Sequence, residues 1–562
     1  MPELQVSKKS VSQLFAVMQN KKFIIPEYQR PYKWDKEKCE TLWGDILDFS
    51  ETEAKNGSDY FLGTIVSFKN DEQHYEVIDG QQRITSFMLL LRSFYAKLEA
   101  MDDTDDDVKG LKNQLSPCIW DIDPISQKVK DKTLLHIQSL VATEDDNETF
   151  HNILATGYAD VEAEDNYSIN YRFFHDRCTE YAASNPMQWK SLCVIILQKC
   201  IILPIECDTQ ETALTIFSTL NDRGLPLADS DIFKAKMYAH LDVNKRQAFI
   251  SRWKELTEIC KEANLAIDDI FRYYTHVLRA EAGDRTKEMA LRRFYSQVKY
   301  ARLKSDHLIE DLIDIANFWK LVHTGIEQDE PTYSISTETR KYIHCIMWYP
   351  NEFWRYPTTV FFIKNRENPD FDNSLRKMMK HLIAFLFSKF IGQPTVNAIK
   401  DDIYQACVGL YSDNKLSFDH AVDEDALKLE LSKFGSSKIT RSLLLLDAYL
   451  HPQQTGLIPF TFDIEHIFPR KWQDANYNGW TKDDADSYLD RFGNKIVFER
   501  KLNIQAGNGY FGVKKQRYSS SGIEAVKELA NYHKNDWIKE DIELREERFN
   551  ETLIGFFKEH LN

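Results

Sequence analysis

Between about residues 110 and 450 the apolar side chains recur mostly at helical spacing, with few glycines or prolines to interrupt them and no internal repeat. Such a run commits the middle of the chain to packed helices and pushes sheet, and the chemistry carried by strand ends and turns, toward the two ends. The amino-terminal end fits this: Phe23-Ile24-Ile25, Tyr60 to Phe68 and Tyr75-Glu76-Val77-Ile78 read as strands. Val11 to Met18 reads as a short helix capped by Ser10, and Asp35 can cap a helix running toward Phe49. Inside the helical run, Val194-Ile195-Ile196-Leu197 and Ile201 to Ile205 look like strands.

Near the other end, Phe462-Asp463-Ile464-Glu465-His466-Ile467-Phe468-Pro469 reads as a strand or elbow stopped by proline. After Gly493-Asn494, Lys495 to Glu499 alternates as a second strand, and Leu502-Asn503 opens a polar segment. Hydrolysing a phosphodiester requires a base for water and a cation to stabilise the departing oxygen. His466 can be the base. Glu465 or Asp463, with the amide oxygen of Asn503, are oxygen ligands suited to Mg²⁺ or Mn²⁺. Asn494 would hold the imidazole or the loop that carries it.

A second constellation is Ile78-Asp79-Gly80-Gln81-Gln82-Arg83, a strand, a glycine turn and a helix start, which is a natural phosphate seat. Gln81 and Gln82 can meet phosphate oxygens or a base edge, Arg83 can grip phosphate, and Asp79 can coordinate Mg²⁺ or orient water; an ordinary Asp-Gly turn is the competing reading. Upstream, Tyr28-Gln29-Arg30-Pro31-Tyr32-Lys33-Trp34 interleaves rings and cations, which suits a stacked nucleotide or simple packing beneath a loop. Asn221-Asp222-Arg223-Gly224 reads as a polar turn that either completes a nucleotide pocket or pairs Arg223 with Asp229 or Asp231.

With 71 basic and 87 acidic side chains the net charge is −16, which disfavours indiscriminate coating of nucleic acid and leaves selective binding to local basic patches. Lys495, Lys514, Lys515 and Arg517 supply such a patch around His466. Nine cysteines without CxxC spacing fit a reducing, cytoplasmic setting. The first residues lack a signal-peptide pattern, and no apolar run reaches membrane-spanning length, so neither export nor a membrane partner is expected.

Glu465-His466-Ile467-x-Pro469, Gly493-Asn494, Leu502-Asn503 and Phe511-x-x-Lys514-x-x-x-Tyr518 resemble the HNH, or His-Me finger, nucleases, and in detail the nuclease domain of GmrSD-type modification-dependent restriction enzymes. Pro26-x-Tyr28-Gln29-Arg30, Asp79-Gly80-Gln81-Gln82-Arg83 and the Phe217 to Leu227 segment resemble the ParB-like domain that precedes it in that family. The chain departs from the pattern at Lys495-Ile496-Val497, where a leucine-rich strand is usual, and in lacking a histidine or cysteine as last ligand.

The resemblance implies a multidomain, predominantly α protein with α+β modules. A ParB-like NTP-hydrolysing domain with a helical insertion would span residues 1–240, a helical domain 241–450, and a ββα-metal nuclease domain 451–562. It implies nucleotide binding by Tyr28, Gln29, Arg30, Asp79, Gly80, Gln81, Gln82, Arg83, Asn221 and Arg223, and catalysis by His466, Asn494 and Asn503. The expected function is NTP-regulated, metal-dependent cleavage of double-stranded phage DNA carrying modified bases. The alternatives are an NTP-dependent DNA sensor with a decayed nuclease, or an RNA-directed nuclease. Which NTP is used is open, and cutting both strands with one site needs two active sites or two events, which leaves a homodimer open.

Overall fold

The computed structural model describes residues 4–16, 18, 20–52, 57–102, 104–141, 144–221, 228–325, 333–395, 397–433, 438–472 and 480–561. The chain is mostly helical and falls into two compact units, Met1–Lys254 and Glu255–Asn562.

The first unit is built on a mixed sheet of β1 (Leu4–Val6), β2 (Lys9–Ser10), β3 (Phe23–Ile25), β4 (Tyr60–Lys69), β5 (Tyr75–Asp79), β6 (Ile137–Ser139) and β7 (Cys200–Cys207). The strand order is β1-β7-β4-β5-β3-β6, with β2 also on β7. At its centre β4 and β7 run parallel, Tyr60 opposite Cys200 through Phe68 opposite Cys207. β7 is an almost unbroken apolar run, as a strand covered on both faces requires. β5 returns antiparallel to β4 and ends at Asp79; the chain then turns at Gly80 into the Gln81–Glu99 helix. Only glycine suits that turn: φ is +91°, and a Cβ there would sit 2.9 Å from the Thr64 carbonyl oxygen. Ile84, Phe87, Met88 and Leu91 of the helix are buried in the core.

The strand expected at Val194-Ile195-Ile196-Leu197 is instead the end of the Pro186–Lys199 helix, and the strand starts at Cys200. A short apolar run has no period of its own to separate helix from strand, and here Pro186 starts the helix that carries Ile196 and Leu197 into the core.

In the second unit, the helical middle and the nuclease region, expected to part near residue 450, lie within one compact body. Thr337–Met347 packs on Phe371–Gly392 and on Thr440–Leu450, and Phe371–Gly392 packs on the last helix, Lys539–Leu561. Leu443 to Leu446 are all buried, so the segment expected to precede a boundary is core. β8 (Phe462–His466) and β9 (Lys495–Glu499) form an antiparallel pair with Glu465 opposite Ile496 and His466 opposite Lys495. The helices Arg500–Ala506 and Phe511–Tyr518 follow, giving a strand–strand–helix order. Among the described residues no helix is long and apolar enough to cross a membrane.

Candidate active sites

In the first unit, the Asp79–Arg83 turn opens on a small cleft of about 140 Å³ that is also lined by Gln29, Arg30, Trp34, Phe217 and Asp231. The first N–H groups of the Gln81–Glu99 helix have no partner within the helix and carry its positive end. Arg30, exposed, and Arg83 act on Asp79. Burial raises the Asp79 carboxyl above its usual range, while the Gly80 N–H and both arginines oppose that rise. Arg83 is also anchored: its Nη1 donates to the Thr64 carbonyl at 3.3 Å, and its guanidinium lies so close to Gly63 that a Cβ there would be 2.5 Å from Nη1. Asp231 comes from the Asp229–His240 helix, whose Lys234 is pushed down to about 8 by burial against the pull of Asp231 and Glu27. Two arginines and a helix end suit a polyphosphate, and Asp79 and Asp231 are hard oxygen donors of the kind a nucleotide-bound Mg²⁺ takes.

Not every expected nucleotide residue faces this cleft. Tyr28 is buried, its hydroxyl donating to Glu76 Oε1 at 2.7 Å and accepting from Gln210 Nε2 at 2.9 Å. Gln29 lines the cleft but spends its amide on the Ile78 carbonyl at 3.0 Å. Gln82 grips the Pro31–Lys33 backbone at both ends of its amide, accepting from the Lys33 N–H at 2.6 Å and donating to the Pro31 carbonyl at 3.0 Å. Gln81, by contrast, is buried with Oε1 unpartnered, so it keeps an acceptor for an incoming donor. Of the aromatic residues in the 28–34 segment, Trp34 alone lines the cleft, Tyr32 being stacked on Tyr167 in the core. Arg223 lies outside the described residues, as does the side chain of Asn221, which ends the Gln210–Asn221 helix.

In the second unit, His466 ends β8 with its side chain 13% exposed. Its Nε2 lies 3.6 Å from Asp490 Oδ1, which in turn is 2.9 Å from Lys495 Nζ and 3.6 Å from Arg470 Nη2. His466 Nε2, Asp490 Oδ1 and Lys495 Nζ are all buried, and the last two form an ion pair. Burial, then Arg470 and Lys495, push the imidazole down to about 4 against the opposing pull of Asp490. Burial works against the Asp490 charge, yet Lys495, Arg470 and His466 hold its carboxyl below the usual range. Sequence reading missed Asp490. Its only signal is its place just before the Arg491-Phe492-Gly493-Asn494 turn.

Asn494 is fully buried and clamps the loop after His466 rather than the imidazole. Its Oδ1 accepts from the Phe468 N–H at 2.6 Å, and its Nδ2 donates to the Phe468 and Leu489 carbonyls, both at 3.1 Å. The turn is seated from behind: a Cβ on Gly493 would be 1.9 Å from the Ile542 carbonyl oxygen. Arg545 Nη1 donates to the carbonyls of Phe492, Gly493 and Lys495 at 3.0, 3.1 and 2.7 Å.

Two of the expected metal donors do not face His466. Alternation along β8 points Asp463 and Glu465 to the other face of the strand. Glu465 is buried there, 2.7 Å from Lys514 Nζ and accepting from the Tyr518 hydroxyl at 2.7 Å. Asp463 pairs with Arg500 at 3.3 Å. Asn503 sits on the Arg500–Ala506 helix, and among the described residues no group of three or more His, Cys, Asp or Glu side chains is placed to hold a metal. Glu465 and Asp463 are thus each paired with a cation in this structure.

The expected DNA contacts change for the same reason, burial. Lys495 is 2% exposed and belongs to the His466 cluster, and Lys514 is 1% exposed and neutralises Glu465 while donating to the His466 carbonyl at 2.7 Å. Lys515 donates to the carbonyls of Tyr532 and Lys534. Arg517 is exposed, as are Arg470, Lys471, Arg500 and Lys501.

Two family models match the chain. The model of the GmrSD restriction endonuclease N-terminal domain matches residues 11–238, which contain the Asp79 cleft. The model of the GmrSD restriction endonucleases C-terminal domain matches residues 421–551, which contain β8, β9 and the His466 cluster. No curated protein matches the chain. The two matched ranges follow in order and together take in more than half of the 562 residues, so the chain belongs to the GmrSD restriction endonucleases.

Proposed function

We propose that this restriction endonuclease cuts modified foreign DNA by attack of water on a phosphodiester, with His466 as general base and a nucleoside triphosphate bound at the Asp79 cleft as regulator. The observation that carries the cleavage reading is the meeting of three buried polar atoms, His466 Nε2, Asp490 Oδ1 and Lys495 Nζ, beside exposed Arg470. An imidazole held down to about 4 is neutral at physiological pH and can take a proton from water. Asp490 then faces the imidazolium, while exposed Arg470 offers positive charge to the phosphate oxygens. The resemblance implies a divalent cation; of the donors named for it, Asp463 is paired with Arg500 and Glu465 with Lys514. Nine buried free cysteines support a reducing, cytoplasmic setting.

The test is cleavage of modified and unmodified plasmid by wild type and His466→Ala, with each NTP and with Mg²⁺ or Mn²⁺. Cutting by wild type and its loss in the variant are expected; undiminished cutting by His466→Ala would remove the histidine from the mechanism. The engagement of Glu465 and Asp463 with cations favours one second reading, an NTP-dependent DNA sensor, which would turn over NTP without nicking any DNA.

A further inference from the structure

A cavity of about 570 Å³ opens in the second unit among the Thr440–Leu450, Glu524–Ala530 and Lys539–Leu561 helices, and shares no lining residue with the His466 cluster. Tyr532, Trp537 and Phe549 form aromatic wall, and Asp447, Arg545 and Arg548 also line it. Most polar groups here are spent. His451 and Arg548 pair with Glu528 at 2.9 and 3.4 Å, Asp541 accepts from Tyr532 and Lys534 at 2.6 and 2.8 Å, and Arg545 Nη1 holds the turn carbonyls.

Two groups are not spent. Trp537 is 5% exposed and its indole N–H is buried without a partner. Asp447 has only longer-range attraction to Arg545, Arg548 and His451, and burial raises its carboxyl in spite of them. A purely apolar occupant would leave a donor and an acceptor unpaired, at about 1–3 kcal/mol each. An anionic occupant would meet Asp447, and a simple organic cation would meet two guanidinium groups. What remains is a planar ring with an N–H edge for Asp447 and an acceptor for Trp537.

We propose that this cavity binds a nucleobase, supplied by a free nucleoside or by a base extruded from DNA, between the aromatic wall and Asp447. Because Arg545 lines the same cavity as Asp447 and grips the Phe492–Lys495 turn, an occupant bears on the turn that Asn494 uses to hold the loop after His466. The inference does not rest on the cleavage reading.

The experiment is calorimetric titration of the full-length chain carrying Arg83→Ala, to weaken the amino-terminal cleft, in metal-free buffer. One arm uses adenosine, guanosine, cytidine and thymidine. The other uses a duplex with one extrahelical base against the same duplex fully paired. Saturable binding in the first arm assigns an effector and in the second assigns base readout; either supports the site, provided Asp447→Asn and Trp537→Phe each weaken it about tenfold or more with Tm retained. No saturable binding in either arm, or binding indifferent to both substitutions, overturns the proposal and leaves the His466 reading untouched.

Discussion

The carboxylate that meets the His466 imidazole is Asp490, with Oδ1 3.6 Å from Nε2, and not Glu465, its neighbour in sequence. Glu465 turns to the opposite side of β8 and is neutralised there by Lys514. This division gives the two acids different work: Asp490 acts on the imidazole, and Glu465 holds the Phe511–Tyr518 helix to the strand through Lys514 and Tyr518.

Replacing His466 by alanine should lower cleavage about 10²- to 10⁴-fold, the usual effect of losing a positioned base. Asp490→Asn should lower kcat by a smaller factor with KM nearly unchanged. Since Asp490 pulls the imidazole pKa upward, its loss should also move the acid limb of the cleavage profile to lower pH. An unmoved limb in single-turnover assays would show that Asp490 does not act through the histidine.

The depressed His466 pKa also links folding to pH. The folded value, about 4, lies below the unfolded one, so below the unfolded value of about 6.5 the unfolded chain binds the proton first. The stability from keeping this histidine neutral is therefore present above about pH 6.5 and lost progressively as pH falls to about 4. Urea denaturation between pH 7.5 and about 4 should show a decline that is shallower in His466→Ala.

Glu465→Gln should act on stability. It leaves the Lys514 ammonium, 1% exposed, without its counter-charge, which costs about 3–5 kcal/mol when one partner of a buried pair is removed. The double variant Glu465→Gln with Lys514→Met should recover much of that loss in denaturant midpoint. If Glu465→Gln instead kept full stability and specifically lost cation binding by calorimetry, the carboxylate would be a ligand after all.

Gly493→Ala should be severely destabilising, because the added methyl falls 1.9 Å from the Ile542 carbonyl oxygen and the Lys539–Leu561 helix must shift. Asn494→Ala should also destabilise strongly, since it orphans three backbone groups at about 1–3 kcal/mol each, and should slow cleavage with His466 intact. Thermal melts beside cleavage rates separate the two effects.

In the amino-terminal cleft, Asp79→Ala and Arg83→Ala should abolish NTP turnover with the fold retained, as judged by circular dichroism and phosphate release. Gln82→Ala should weaken turnover through the displaced Pro31–Lys33 backbone, raising KM more than it lowers kcat. Unchanged turnover in the Asp79 and Arg83 variants would reduce this turn to a structural one.

Residue order was enough wherever local backbone chemistry is in control. It placed β5 against a glycine turn and helix at Gly80, β9 after Gly493-Asn494, and helices through the middle, because left-handed φ, turn residues and apolar period act over a few neighbouring residues. It also paired the two motif sets with the family whose two domains the chain matches. Tertiary structure alone decided which charges face each other. Alternation on β8 sent His466 and Glu465 to opposite sides, packing brought Asp490 and Lys495 to one and Lys514 to the other, and burial turned two expected DNA-binding lysines into internal counter-ions. The physical reason is that a charge finds its partner by desolvation and long-range contact, and neither is written in the spacing of residues along the chain.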